Sequence, residues 1–163
     1  MRTIILDAYN VIHKLPELSV KLECSLLEAR KALLNLMVDW KQTHGYRGNI
    51  YIVYDGTDGV INFEGVKPGG IWNIFTSSKE EADDRILSMV REASNPTEIV
   101  VVSQDGRVIN GCKAHGANVE SPGFLKRKRK KRSMAIKSRH KELLSGRTER
   151  QINAYYKKAL GLD

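Results

Sequence analysis

An α/β fold, with a central parallel sheet covered by helices on both faces, is what this chain predicts, and three features predict it. Short apolar runs (TIIL, IYIVY, EIVVV) carry no alternating polar residues, as suits strands buried on both sides. Helix-length stretches with apolar stripes separate them, so strands and helices alternate in βαβ order with right-handed crossovers. Each of the three runs leads to an aspartate: Asp7, Asp55 and Asp105. Open α/β sheets hold their ligands at the carboxyl ends of the strands. Three carboxylates delivered to that edge are hard to explain by packing alone.

Taken in order, the first strand runs from Thr3 into Asp7. Tyr9 to about Leu22, broken by Pro16, is expected to form a loop or a short helical turn. Ser25 opens a helix, with Glu28 three residues on completing a capping box; Leu26, Leu33, Met37 and Trp40 mark its apolar stripe and Gly45 ends it. A second strand covers 49–55, a glycine-bearing loop (GTDG, then GVKPGG) follows, and a short strand spans 71–75. Ser77 and Ser78 each have a glutamate three residues later, which predicts a capped helix start in SSKEEADDRILSMVREAS, and Asn95-Pro96 stops that helix. A strand over 98–103, a helix over about 106–115 and a short strand near 117–120 complete the pattern. Beyond Ser121-Pro122-Gly123 lies KRKRKKR, then one or two helices, the last capped by Thr148 and Gln151. The organisation expected is a body over 1–125 and a basic, partly helical C-terminal extension over 126–163.

At 163 residues the chain can bury a full core. No apolar run approaches the ~18 residues of a membrane span, and the N-terminal stretch is too short for a signal peptide, so a cytoplasmic protein is expected. Cys24 and Cys112 form no CxxC pair, and the four histidines show no ligand spacing, so neither a disulfide nor a zinc site is expected. The net charge of +8 is unevenly divided: residues 1–125 carry 13 Lys/Arg against 16 Asp/Glu, residues 126–163 carry 14 against 3. A basic tail on a mildly acidic body points to a polyanionic partner, nucleic acid ahead of membrane.

Four more acids, Glu80, Glu81, Asp83 and Asp84, crowd the start of the third main helix. Acids favour helix N-termini because of the macrodipole, which alone accounts for some of them. At about 100° per residue, Ala82, Ile86, Met89, Val90 and Ala93 define the inward face, and Asp83 falls inside that stripe. Glu80 lies at its border, Asp84 slightly beyond, and Glu81 points away. A carboxylate on the covered side is costly unless paired or bound to a cation. Several like charges at one rim need positive charge to offset them, and a hard divalent cation, Mg²⁺ or Mn²⁺, suits oxygen ligands. Such ions activate water and neutralise phosphoryl charge, so phosphodiester hydrolysis is the chemistry expected. Asn10 either orients a water or phosphate or makes an Asx-type turn; Ser103 either bonds a phosphate or caps the helix after Asp105. Asp55 is either a ligand or the turn residue of an Asp-Gly pair. An aspartyl phosphatase would need an acid where Tyr9 stands, and neither a P-loop nor GxGxxG occurs.

Together LDAYNVI, VYDG, EEADDRIL and VVSQDG resemble the NYN domain, a branch of the PIN-like nucleases, and most nearly its bacterial YacP-like family. The motifs come in that family's order and cover most of residues 1–125. The resemblance implies a PIN-like three-layer sandwich and an acidic, Mg²⁺- or Mn²⁺-dependent site that cleaves RNA endonucleolytically. It implies that Asp7 binds metal with Asn10 in support, and that Asp83, with Glu80 or Asp84 beside it, supplies helix carboxylates. Asp105 would complete the catalytic set and Asp55 would serve a second metal or the substrate. Apart from the resemblance, Ser103 and the nearby Arg107 are expected, with Asn10, to support the substrate. Ala8 stands where the family has glycine. Some bacterial members act on messenger RNA at the ribosome, which makes a ribosomal partner a family-level expectation. Lys126, Arg127, Lys128, Arg129, Lys130, Lys131 and Arg132 either contact the RNA backbone or form a solvated charge cluster. Tyr155 and Tyr156 either stack on bases or pack a helix. Set against the ribonuclease is a non-catalytic RNA- or ribosome-binding protein that keeps the same fold.

Overall fold

The apolar runs form strands in the computed structural model, which describes residues 2–56 and 69–128. They are β1 (Thr3–Asp7), β2 (Ile50–Tyr54), β3 (Ile71–Phe75), β4 (Ile99–Val102) and β5 (Asn118–Glu120). Every neighbouring pair is parallel, in the order β3-β2-β1-β4-β5. The helices are α1 (Ala8–Lys14), α2 (Pro16–Cys24), α3 (Leu26–Thr43), α4 (Ala82–Glu92) and α5 (Gly106–Ala114). The chain divides into two units, Met1–Arg127 and Lys128–Asp163, and all of these elements lie in the first.

Strand alternation builds two cores. Ile4, Leu6, Ile50, Ile52, Tyr54, Val100 and Val102 turn to one face, where Val11, Ile12, Leu18, Leu33 and Met37 of α1–α3 cover them. Ile5, Val53, Ile99 and Val101 turn to the other, against Ile86 and Val90 of α4 and Val108 and Cys112 of α5. Burial of each large side chain contributes roughly 1.5–3 kcal/mol, and both faces being covered explains why the strands read as unbroken apolar runs. The middle layer is the five-stranded parallel sheet that the sequence predicts.

Two expectations need correction. The stretch after β1 is no loop: it forms α1 and α2. The chain does break at Pro16, between α1 and α2, but Pro16 occupies the first position of α2, where its missing N–H costs nothing, so the residues beyond it are helical too. The third main helix begins at Ala82, not at Ser77 or Ser78. A single turn joins Ser77 to Glu80 (N···O 3.1 Å), Glu81 is extended, and neither serine caps the helix. Its first-turn Asp83 and Asp84 meet the helix dipole instead. By contrast Ser25 caps α3 as its sequence predicts, accepting from the Glu28 N–H at 3.0 Å.

Among the described residues no helix is long and apolar enough to cross a membrane. Both cysteines are free, Cys24 exposed and Cys112 buried. Residues 57–68 of the glycine-bearing loop and everything from Arg129 onward lie outside the described residues. That includes Lys130, Lys131, Arg132, the expected C-terminal helices, Thr148, Gln151, Tyr155 and Tyr156.

Candidate active site

Strand order fixes where a site can form. From β1 the chain moves to β2 and β3 on one side, then returns to β4 on the other side of β1. The order reverses between β1 and β4, and at their carboxyl ends this leaves a crevice. Asp7 ends β1 there. By alternation it shares the face of Ile5, toward α4 and α5, and it is 7% exposed.

Register brings Ser103 to it. Leu6 pairs with Val102, so the next residue of each strand, Asp7 and Ser103, meet on the same face. Ser103 is buried; its hydroxyl donates to Asp7 Oδ2 at 3.0 Å and accepts the Asp105 backbone N–H at 3.0 Å. One side chain thus ties the end of β1 to the turn after β4. Asp105 caps α5, its Oδ1 accepting from Arg107 N (2.8 Å) and Val108 N (3.1 Å). Asn10, on the first turns of α1, reaches the same turn: its Oδ1 accepts the Gln104 N–H at 2.8 Å. Asn10 and Ser103 therefore hold the Asp105 turn in place from two sides.

The four acids around the start of α4 separate sharply. Glu81 and Asp84 both accept from the exposed Arg107, Glu81 at 3.2 Å, which links α4 to α5. Glu80 lies 3.8 Å from Arg85. Asp83 alone has no ion-pair partner among the described residues, and it is half-buried. Burial, first, and the neighbouring Asp105 charge, second, raise its pKa. Asp7 is affected more strongly: burial lifts its pKa from 3.8 to about 6, against the Ser103 hydrogen bond, with the Asp83 and Asp105 charges adding to the rise and the Asn10 backbone N–H opposing it. The charges of Asp7, Asp83 and Asp105 thus repel one another.

Asp55 is exposed, one residue beyond β2, and its Oδ1 accepts from the Thr76 hydroxyl at 3.3 Å; that hydroxyl also accepts the Gly56 N–H at 3.1 Å. Gly56 sits at φ +90°, a conformation other residues rarely adopt. Beside them opens a polar cleft of about 460 Å³ lined by Asp55, Gly56, Ser77, Ser78, Lys79, Glu80 and Glu81. Of the seven basic residues at 126–132, the described ones are exposed: Lys126 pairs with Glu17 at 2.8 Å, and Arg127 with Glu120 at 3.2 Å.

The donor set suits a hard cation: carboxylate oxygens, one of them on a buried aspartate whose pKa its surroundings raise. Among the described residues, however, no three His, Cys, Asp or Glu side chains already converge into a cage for an ion.

The model of the YacP-like NYN domain matches residues 4–160. This chain belongs to the YacP-like NYN family. Two crystal structures of Rae1 (YacP) from Bacillus subtilis are similar to it. One is 25% identical with a TM-score of 0.61, covering 99% of this chain and 96% of that one. The other, a point mutant, is 24% identical with a TM-score of 0.62, covering 96% and 84%. No curated protein matches the chain. The fold of this NYN member is therefore a nuclease-type, RNA-related one.

Within that NYN domain, one charged residue escapes the sequence reading. Arg30 is 4% exposed on α3. It falls between Leu26 and Leu33 on the same apolar stripe that marks α3, the same periodicity that singles out Asp83 on α4.

Proposed function

We propose that this protein is a metal-dependent endoribonuclease that hydrolyses RNA phosphodiester bonds, with Asp7, Asp83 and Asp105 as its catalytic carboxylates. One observation carries the reading: a buried Asp7 at the topological switch point, its proton affinity raised beside two further carboxylates. A cation would offset the repulsion among these carboxylates, and Mg²⁺ or Mn²⁺ matches all-oxygen donors. When bound, the ion supplies Lewis acidity toward the phosphoryl group and lowers the pKa of water.

The chain's own residues do the rest. Asp7, Asp83 and Asp105 would hold the ion. Glu80, Asp84 and Asp55 would stand further out, the first two already held by arginines. Ser103 keeps Asp7 and Asp105 in register, and Asn10 fixes the Gln104–Asp105 turn. Arg107, exposed and shared by Glu81 and Asp84, would turn toward substrate phosphate. The products would carry 5′-phosphate and 3′-hydroxyl ends. The basic residues from Lys126 onward would bind RNA through its backbone, with messenger RNA at the ribosome as the physiological target in the cytoplasm.

A second reading is a non-catalytic RNA-binding protein that keeps the fold. It is favoured by the absence, among the described residues, of a preformed three-ligand cage. Incubating the full chain with end-labelled RNA and Mn²⁺ separates the two. The nuclease reading expects internal cuts that vanish in both Asp7→Asn and Asp105→Asn. RNA that is bound but left intact supports the second reading, and cutting that survives both substitutions marks a contaminant.

A further inference from the structure

Arg30 is a buried cation that no carboxylate among the described residues neutralises. Its Nε donates to the Tyr9 hydroxyl at 3.0 Å, and a second guanidinium nitrogen donates to the same oxygen. Its guanidinium carbon lies 5.8, 5.6 and 5.4 Å from the ring centres of Tyr9, Tyr54 and Phe75. Tyr9 meets Tyr54 edge-on (6.0 Å, 71°), and Tyr54 stacks on Phe75 (4.8 Å, 12°). A planar, weakly hydrated guanidinium suits such a setting, where an ammonium does not.

The place of this cluster in the fold gives it a consequence. Each ring immediately precedes a residue of the candidate rim: Tyr9 precedes Asn10, Tyr54 precedes Asp55, and Phe75 precedes Thr76, which bonds Asp55. The rings of Tyr54 and Phe75 pack with the α1–α3 face, under the edge on which the acids stand. From Tyr9 the chain passes directly to Asn10, whose side chain holds Gln104, the neighbour of Asp105.

We infer that Arg30 is a positioning residue: gripping the Tyr9 hydroxyl, it fixes the entry of α1 and, through Asn10 and Gln104, the turn that carries Asp105. The effect on cleavage rests on the nuclease reading; the effect on the turn does not. Lying between two sites does not by itself establish coupling, so the test is a double-mutant cycle.

Arg30→Met and Tyr9→Phe keep most of the packing volume and remove the grip. In the full chain with Mn²⁺ and labelled RNA, each should lower kcat by about 10²-fold, as misplaced catalytic groups do, while KM stays within about 3-fold. The double variant should be no slower than the slower single one, and Arg30→Lys should not restore the rate, lacking the fork that donates twice to one oxygen. Amide hydrogen exchange gives a readout that needs no activity. The Gln104 N–H should exchange at least about 10-fold faster in both single variants, with the β4 amides unchanged. Rate losses that multiply in the double variant, or Gln104 exchange at the wild-type rate, would overturn the inference. If the unaltered chain cuts no RNA, the nuclease reading falls separately and Gln104 exchange still decides the role of Arg30. If Arg30→Met fails to fold, Tyr9→Phe carries both readouts.

Discussion

Replacing Asp7 with asparagine should stabilise this protein at neutral pH, although Asp7 stands at the centre of the candidate site. Burial raises the Asp7 pKa from 3.8 to about 6 in the fold, with the Asp83 and Asp105 charges adding to it. Between those two pH values the folded chain keeps a proton that the unfolded chain has lost. Stability from this group is therefore complete below pH 3.8 and declines as pH rises through about 6. The shift is about 2 units at 1.36 kcal/mol each, so the ionised carboxylate costs roughly 3 kcal/mol at pH 7. Asparagine has nearly the same shape, carries no charge, and its carbonyl can still accept from Ser103. Urea unfolding of both proteins between pH 4 and 8, without divalent metal, should give similar stabilities at pH 4. By pH 7 a gap of roughly 2–3 kcal/mol should favour the variant. Adding Mn²⁺ at pH 7 should raise the midpoint of the unaltered protein and leave that of Asp7→Asn in place. A variant less stable at pH 7, or a gap that does not change with pH, would refute the electrostatic reasoning.

Three further outcomes follow from particular interactions. Ser103→Ala removes the hydroxyl that joins Asp7 to the Asp105 N–H and leaves both groups short of a partner; it should destabilise by about 1–3 kcal/mol in chemical denaturation and slow RNA cleavage. Gly48→Ala would bring a Cβ to 2.0 Å from the Arg2 backbone carbonyl, which cannot swing aside as a side chain can, so the penalty at the start of β2 should reach at least about 1–3 kcal/mol and show as a lower Tm. Neutralising residues 126–132 should weaken RNA affinity and flatten the log–log salt dependence by about 0.7 for each phosphate that is no longer neutralised; an unchanged slope would remove that segment from RNA binding.

What is legible in the sequence follows local periodicity. Unbroken apolar runs point to the parallel sheet, and the phase of the stripe on α4 sets the half-buried Asp83 apart from the exposed Asp84. The same test applied to α3 marks Arg30, yet a single cation among leucines reads as an ordinary surface residue until burial is measured. Pro16 and the Ser77–Ser78 pair mislead because a local rule admits two outcomes: proline both ends helices and starts them, and a serine caps only if the backbone beside it turns at once. The roles of Ser103 and Asn10 depend on partners 96 and 94 residues away, Asp7 and Gln104. Those pairings come from the β1–β4 register, which no local pattern encodes.

The most direct measurement is a crystal of the full chain grown with Mn²⁺, with anomalous scattering collected at the manganese edge. A peak is expected in the crevice between β1 and β4, about 2.1 Å from carboxylate oxygens of Asp7 and of Asp83 or Asp105. An empty crevice at saturating Mn²⁺, or manganese bound only at acids elsewhere on the surface, would contradict a metal-dependent site built on Asp7.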